Sequence, residues 1–190
     1  MHTDILYIHG FNSSPQSFKA ELTKQFFSSR CPQVTFHCPQ ISSTPAGAIE
    51  QLTSIIEQKP EAKWCLIGSS LGGYFSTFLS EKYQCPAILV NPAIKPYELL
   101  CDYIGTQTNP YTGEVYEVSE NHMTDLKAIN QQKITEKNYQ VMVQTGDEVL
   151  DYRQATEKYQ HCQLIVQQGG DHSFINFEQM LPNIAEFLML

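Results

Sequence analysis

Basic residues are scarce in this sequence. Its 190 residues hold 12 Lys and Arg against 20 Asp and Glu, a formal charge of −8, and no basic run stands out. Nucleic-acid binding, which needs clustered cations to neutralise phosphates, is therefore disfavoured. So is attachment to an anionic membrane surface. No apolar stretch approaches the roughly 20 residues that span a bilayer. The first residues, Met1-His2-Thr3-Asp4, lack the basic and long apolar regions of an export signal. Six cysteines occur, at 31, 38, 65, 85, 101 and 162, but none forms Cys-x-x-Cys. That removes the zinc knuckle and the thioredoxin-like motif. Buried, reduced thiols in a cytoplasmic protein are the expectation. Repeats, low-complexity tracts and linkers are also missing, so a single domain over 1–190 is expected. A chain of 21.6 kDa should expose about 9,000 Å² when folded, enough burial for a core without staples.

What is present is an alternation of short apolar runs and helical stretches. Ile5–Ile8, Val34–His37, Trp64–Ile67, Ala87–Val90, Gln140–Gln144 and Cys162–Val166 read as six strands. Between them, helices are predicted over Pro15–Ser29 (Ser14 as N-cap, Pro15 first), from Thr44-Pro45 onward, over Leu71–Tyr83 and near Tyr152–Tyr159. A last helix is predicted from about Phe174 to Leu188. Continuous apolar strands separated by helices imply a parallel sheet covered on both faces. Ligands then bind at the carboxyl ends of the strands. Residues 91–137 break the alternation. They carry Tyr97, Tyr103, Tyr111 and Tyr116 and the turn signals Asn109-Pro110 and Thr112-Gly113, and read as a cap or lid insertion.

The strand ends carry the chemistry. After the third strand comes Gly68-Ser69-Ser70-Leu71-Gly72-Gly73, which contains Gly-x-Ser-x-Gly between a strand and a helix. The central Ser70 is the candidate nucleophile: the glycines allow a sharp turn that lifts its oxygen above the sheet. A serine hydroxyl needs a base, and the base an orienting acid. His172, after the sixth strand in Gly169-Gly-Asp-His-Ser-Phe174, is the candidate base. His161 precedes its strand and sits at the wrong end, and His122 falls in the insertion, where surface or lid duty is expected. The acid follows the fifth strand in Thr145-Gly-Asp147-Glu-Val-Leu-Asp151. Asp147 stands directly after the turn glycine, with Glu148 and Asp151 as rivals. An oxyanion hole needs two backbone N–H groups. Leu71 supplies one and Phe11, in His9-Gly10-Phe11-Asn12-Ser13-Ser14, the other. His9 and Gly10 are expected to shape that loop, and Gly68 and Gly72 the serine turn.

These segments resemble the α/β-hydrolase superfamily and, more closely, the small bacterial YqiA-type esterases. The likeness runs through His9–Pro15, Gly68–Tyr74, Val90–Ala93, Asn109–Glu114, Thr145–Tyr152 and Gly170–Phe174. It implies a three-layer α/β fold whose sheet lacks the two leading strands of larger relatives. It implies a serine esterase acting on small-molecule carboxylic esters or acyl thioesters such as acyl-CoA, with no cofactor and no metal. Other reactions on the same site stay open, namely C–C bond hydrolysis or a proton-abstraction lyase. So does a non-catalytic binding protein of the same fold.

Overall fold

The computed structural model describes residues 2–190. Six parallel strands form the main sheet: β1 (Thr3–Ile8), β2 (Val34–His37), β3 (Lys63–Ser69), β4 (Ala87–Val90), β7 (Tyr139–Gln144) and β8 (Gln163–Gln167). Their spatial order is β2-β1-β3-β4-β7-β8. Successive residues of each strand alternate between two cores, as the two-residue period of a strand demands. Leu6, Ile8, Leu66, Leu89 and Val141 face one side, with α2 (Pro45–Glu57), α3 (Leu71–Tyr83) and α6 (Tyr152–Lys158). Ile5, Tyr7, Ile67, Val90 and Met142 face the other, with α1 (Phe18–Arg30) and α7 (Leu181–Phe187). The exposed surface is 9146 Å², matching the size expectation. The three-layer α/β architecture predicted from the strand–helix alternation is observed.

Three sequence expectations need correcting. First, α1 begins at Phe18, not Pro15. The buried Ser14 hydroxyl accepts the Gln16 N–H and the Ser14 carbonyl accepts the Ser17 N–H, both at 3.0 Å. The side chain thus closes a turn where a cap was expected, a competition usual for serine. Second, the closing helix starts only at Leu181, after a 3₁₀ turn over Phe177–Met180. Phe174 and Asn176 adopt φ of 67° and 60°, which breaks any helix through them. Phe174 is buried there and meets Phe177 edge-on. Third, residues 91–137, in which the sequence shows no clear strand, contain two. They hold α4 (Pro96–Leu99), an antiparallel hairpin of β5 (Gly105–Thr108) and β6 (Val115–Val118), and α5 (Glu120–Ala128). The turn signals at Asn109 and Gly113 mark the hairpin loop. All six cysteines are free, and Cys31, Cys65 and Cys85 are buried, but Cys101 in this same excursion is exposed.

One charge cluster lies far from the strand ends. Asp4 is fully buried at the start of β1, and its Oδ1 receives hydrogen bonds from His37 Nε2 and Lys59 Nζ, each at 2.6 Å. Burial opposes its ionisation, but these hydrogen bonds and charges outweigh it and hold the carboxyl below its ordinary range. A depressed folded pKa stabilises the fold above the unfolded value and loses that stability as pH falls. Asp4→Asn should therefore destabilise at neutral pH, on the order of 1–3 kcal/mol. The gap from wild type should shrink as acid is added below about pH 4, the ordinary Asp value. Denaturant melts across pH measure this, and a gap that widens in acid would contradict it.

Candidate active site

The turn between β3 and α3 is built for close approach. A Cβ on Gly68 would strike the Gly72 carbonyl, and one on Gly72 the Ile8 carbonyl of the neighbouring strand. Ser70, between them, is held at φ 55° and ψ −120°, a conformation that costs a non-glycine residue on the order of 1–3 kcal/mol. Surrounding backbone pins it. Its N–H donates to the Val90 carbonyl at 3.1 Å, and its carbonyl accepts from Gly73 and Ala93 at 3.0 Å.

Three strand ends converge on this serine. His172 Nε2 lies 3.1 Å from Ser70 Oγ, and His172 Nδ1 lies 2.8 Å from Asp147 Oδ2. The other carboxylate oxygen of Asp147 accepts the N–H groups of Val149 (2.9 Å) and Leu150 (2.8 Å). Burial opposes ionisation of Asp147, but the hydrogen bond from His172 and these backbone donors hold its carboxyl below the ordinary range. An ionised carboxylate only accepts, so Nδ1 carries a proton and Nε2 of the neutral ring is left to accept from the Ser70 hydroxyl. The rival acids stand elsewhere. Glu148 accepts the His172 backbone N–H at 3.0 Å. Asp151 caps α6, accepting the Arg153 N–H and pairing with its guanidinium.

The loop after β1 lies across from Ser70. His9 Nδ1 donates to the Gly10 carbonyl (3.0 Å), and its Nε2 accepts the Ile41 N–H (3.1 Å). The imidazole is therefore neutral, and burial lowers its pKa accordingly. Neither the Phe11 nor the Leu71 amide has an acceptor among the described residues; Leu71 opens α3, where no helical carbonyl lies four residues back. Residues of the β4–β7 excursion clamp this loop. Asn109 Nδ2 donates to the Ser13 carbonyl (3.0 Å), Tyr116 OH donates to Asn12 (2.7 Å), and Tyr103 and Tyr116 pack edge-on against Phe11. A cleft of about 270 Å³ opens beside Ser70, lined by Phe11, Phe18, Lys19, Tyr111 and His172. His161 lies exposed before β8, far from these residues in the fold. His122 does not meet its surface expectation: it is buried, and its ring accepts the Ser119 N–H in a capping box on α5.

A model of the uncharacterised protein family UPF0227 matches residues 4–189. The chain belongs to the UPF0227 family. Among its relatives, a UPF0227 protein of Citrobacter koseri and YcfP of Escherichia coli are each 22% identical over 188 residues, covering 98% of this chain and 99% of theirs. Solved α/β-hydrolases share the fold. Est1E from Butyrivibrio proteoclasticus superposes with a TM-score of 0.76 at 13% identity, over 98% of this chain and 87% of that one. Mouse α/β hydrolase domain-containing protein 10 gives 0.73 at 16%, over 98% and 89%. A monoacylglycerol lipase from Paleococcus ferrophilus gives 0.69 at 14%, over 97% and 93%. The fold implied by the strand-end motifs is therefore the one observed.

Two amides that hold the candidate site together were not among the predicted residues. Asn91, at the end of β4, accepts the Gln144 N–H and donates to the carbonyls of Asp171 and His172. Gln144, at the end of β7, is 3% exposed. It accepts the N–H groups of Asp171 and Ile175 and donates to Gln167 and Ile175. Together they fix the loop that carries His172. Their only signal in the sequence is a polar amide closing an apolar strand. Gln144→Leu should strip the side-chain bonds and misplace the imidazole; on the hydrolase reading proposed below, turnover of an ester should then fall by about 10²-fold. Steady-state kinetics on a short activated ester checks this; unchanged kcat would mean the loop holds without Gln144.

Proposed function

We propose that the chain is a serine hydrolase of the carboxylesterase or thioesterase type. The hydrogen-bonded line Ser70–His172–Asp147, ending on a serine in a strained strand-to-helix turn, carries this reading. The fold it shares with esterases and lipases supports it. Ser70 Oγ attacks the acyl carbon while its proton passes to His172 Nε2. Asp147 holds the ring in the productive tautomer and stabilises the imidazolium. The negative charge that develops on the acyl oxygen is received by the amides of Phe11 and Leu71, which are free to donate. His172 then returns the proton to the departing alkoxide or thiolate, leaving an acyl-enzyme ester on Ser70. Water attacks that ester with the same base, releasing the acid and restoring Ser70. The cleft volume sits at the small end of ligand sites, which suits a small ester better than a polymer.

Within this reading, residues 91–137 act as the cap, since they brace the Phe11 loop and place Tyr111 at the cleft. The test is labelling with a fluorophosphonate, followed by a panel of 4-nitrophenyl esters and acyl-CoA thioesters of graded length. Covalent modification mapped to Ser70, with turnover of at least one short ester, is the expected result. An unlabelled Ser70 would overturn it in favour of a binding protein. Labelling without hydrolysis of any ester or thioester would point to the C–C bond or lyase chemistry.

A further inference from the structure

The candidate cleft holds a cation that the proposed mechanism does not use. Lys19, in the first turn of α1, is the one lysine or arginine among the residues lining it. It is partly buried. Its Nζ donates to the carbonyl of Ser173, the residue after His172, at 2.9 Å. An ammonium has three donors, so two stay free. Among the described residues no carboxylate lies within 4.0 Å of Nζ, although other lysines of the chain are paired at that range. Asp171 and Asp147 are near enough to favour its charge, but Asp147 is committed to His172. Burial outweighs those two carboxylates and pulls the ammonium pKa down to about 8. A partly desolvated cation whose two remaining donors meet no acceptor among the described residues is open to an anionic group that enters the cleft.

Its position says which part of a substrate would meet it. Lys19 is tied to the residue next to His172, and His172 is the group that would protonate the leaving oxygen. The side chains of Phe18 and Tyr111, 66% and 53% exposed, line the same cleft and offer apolar surface to a ring-sized body. We infer that the preferred substrates are esters whose alcohol part carries a carboxylate on an apolar body, and that Lys19 receives that carboxylate. A single ammonium matches a monoanion better than a phosphate dianion, which would ask for further donors. This rests on the esterase reading and names the substrate class for that same site.

The test compares 4-acetoxybenzoate with its methyl ester, methyl 4-acetoxybenzoate. The scissile acetyl group is the same in both. Because the methyl ester also makes the phenol a better leaving group and carries a second ester, acetate release is followed and each rate is divided by that substrate's uncatalysed hydrolysis rate. Wild type should favour the carboxylate substrate in kcat/KM by about tenfold, the value of one charge-assisted hydrogen bond in a partly buried site. Lys19→Met should collapse that ratio to about one, and Lys19→Arg should keep most of it. Absence of a preference in wild type would overturn the inference. So would Lys19→Met lowering both substrates together with the ratio unchanged, since Lys19 would then only tie down the His172 loop. Binding of the product 4-hydroxybenzoate, followed by NMR, gives a readout independent of turnover. Should neither ester be hydrolysed, Lys19-dependent binding of this anion would uphold the inference while the esterase reading fails. Binding indifferent to Lys19→Met would sink it.

Discussion

Ser70→Ala is expected to lower kcat toward any ester substrate on the order of 10⁶-fold, the loss seen when a triad nucleophile is removed. The size of the effect follows from what the substitution deletes. It removes the atom that would form the acyl-enzyme, and the remaining groups can act only by binding the carbonyl and polarising water. It deletes little else. The turn at φ 55° is held by backbone hydrogen bonds to Val90, Gly73 and Ala93 that alanine keeps. The fold gives up only the hydrogen bond between the serine hydroxyl and His172. Unfolding free energy should therefore move by less than about 1 kcal/mol. Relief of strain is not expected either, because alanine tolerates a positive φ no better than serine does. Ester hydrolysis and denaturant melts on the same preparation test both halves. A variant that stays active would remove Ser70 from the chemistry, and Ser69, buried one residue earlier, would then need testing.

What is legible in the sequence, and what is not, divides along a physical line. Strand runs such as Ala87–Val90 and the helix Leu71–Tyr83 are legible because both their periodicity and their terminators are local. The strand-end residues are legible because topology sends every parallel strand's carboxyl end to the same edge. The start of α1 is not, because Ser14 could either cap a helix or close a turn, and its burial against the core decides for the turn. The hairpin β5–β6 escapes because its strands are four residues each and only one of those residues is buried, with too little apolar alternation to register. The duties of Asn91 and Gln144 are invisible for a different reason. Their partners, at Asp171, His172 and Ile175, lie 27 to 81 residues away. No local pattern encodes such pairs. Glu148 belongs to the same class, since its bond to the His172 backbone separates it from Asp147 only in three dimensions.

That separation makes the acid the second decisive test. Asp147→Asn is nearly isosteric, and the structure dictates how the new amide would sit. The N–H groups of Val149 and Leu150 both point at Oδ1, so the amide oxygen must occupy that position to avoid two donor–donor clashes. The amide nitrogen is then turned toward His172 Nδ1, where Oδ2 stands now. A donor there forces Nδ1 to accept, which moves the ring proton to Nε2. An imidazole protonated at Nε2 cannot take the Ser70 proton. Turnover should fall on the order of 10⁴-fold through this change of tautomer alone. Because the geometry survives, stability should change little and KM should stay near that of wild type. Glu148→Gln and Asp151→Asn supply the contrast. The first keeps an acceptor for the His172 N–H and the second keeps one for the α6 cap, so each should cost far less than Asp147→Asn. A loss for Asp147→Asn smaller than about tenfold, or a larger loss for either neighbour, would transfer the orienting role away from Asp147.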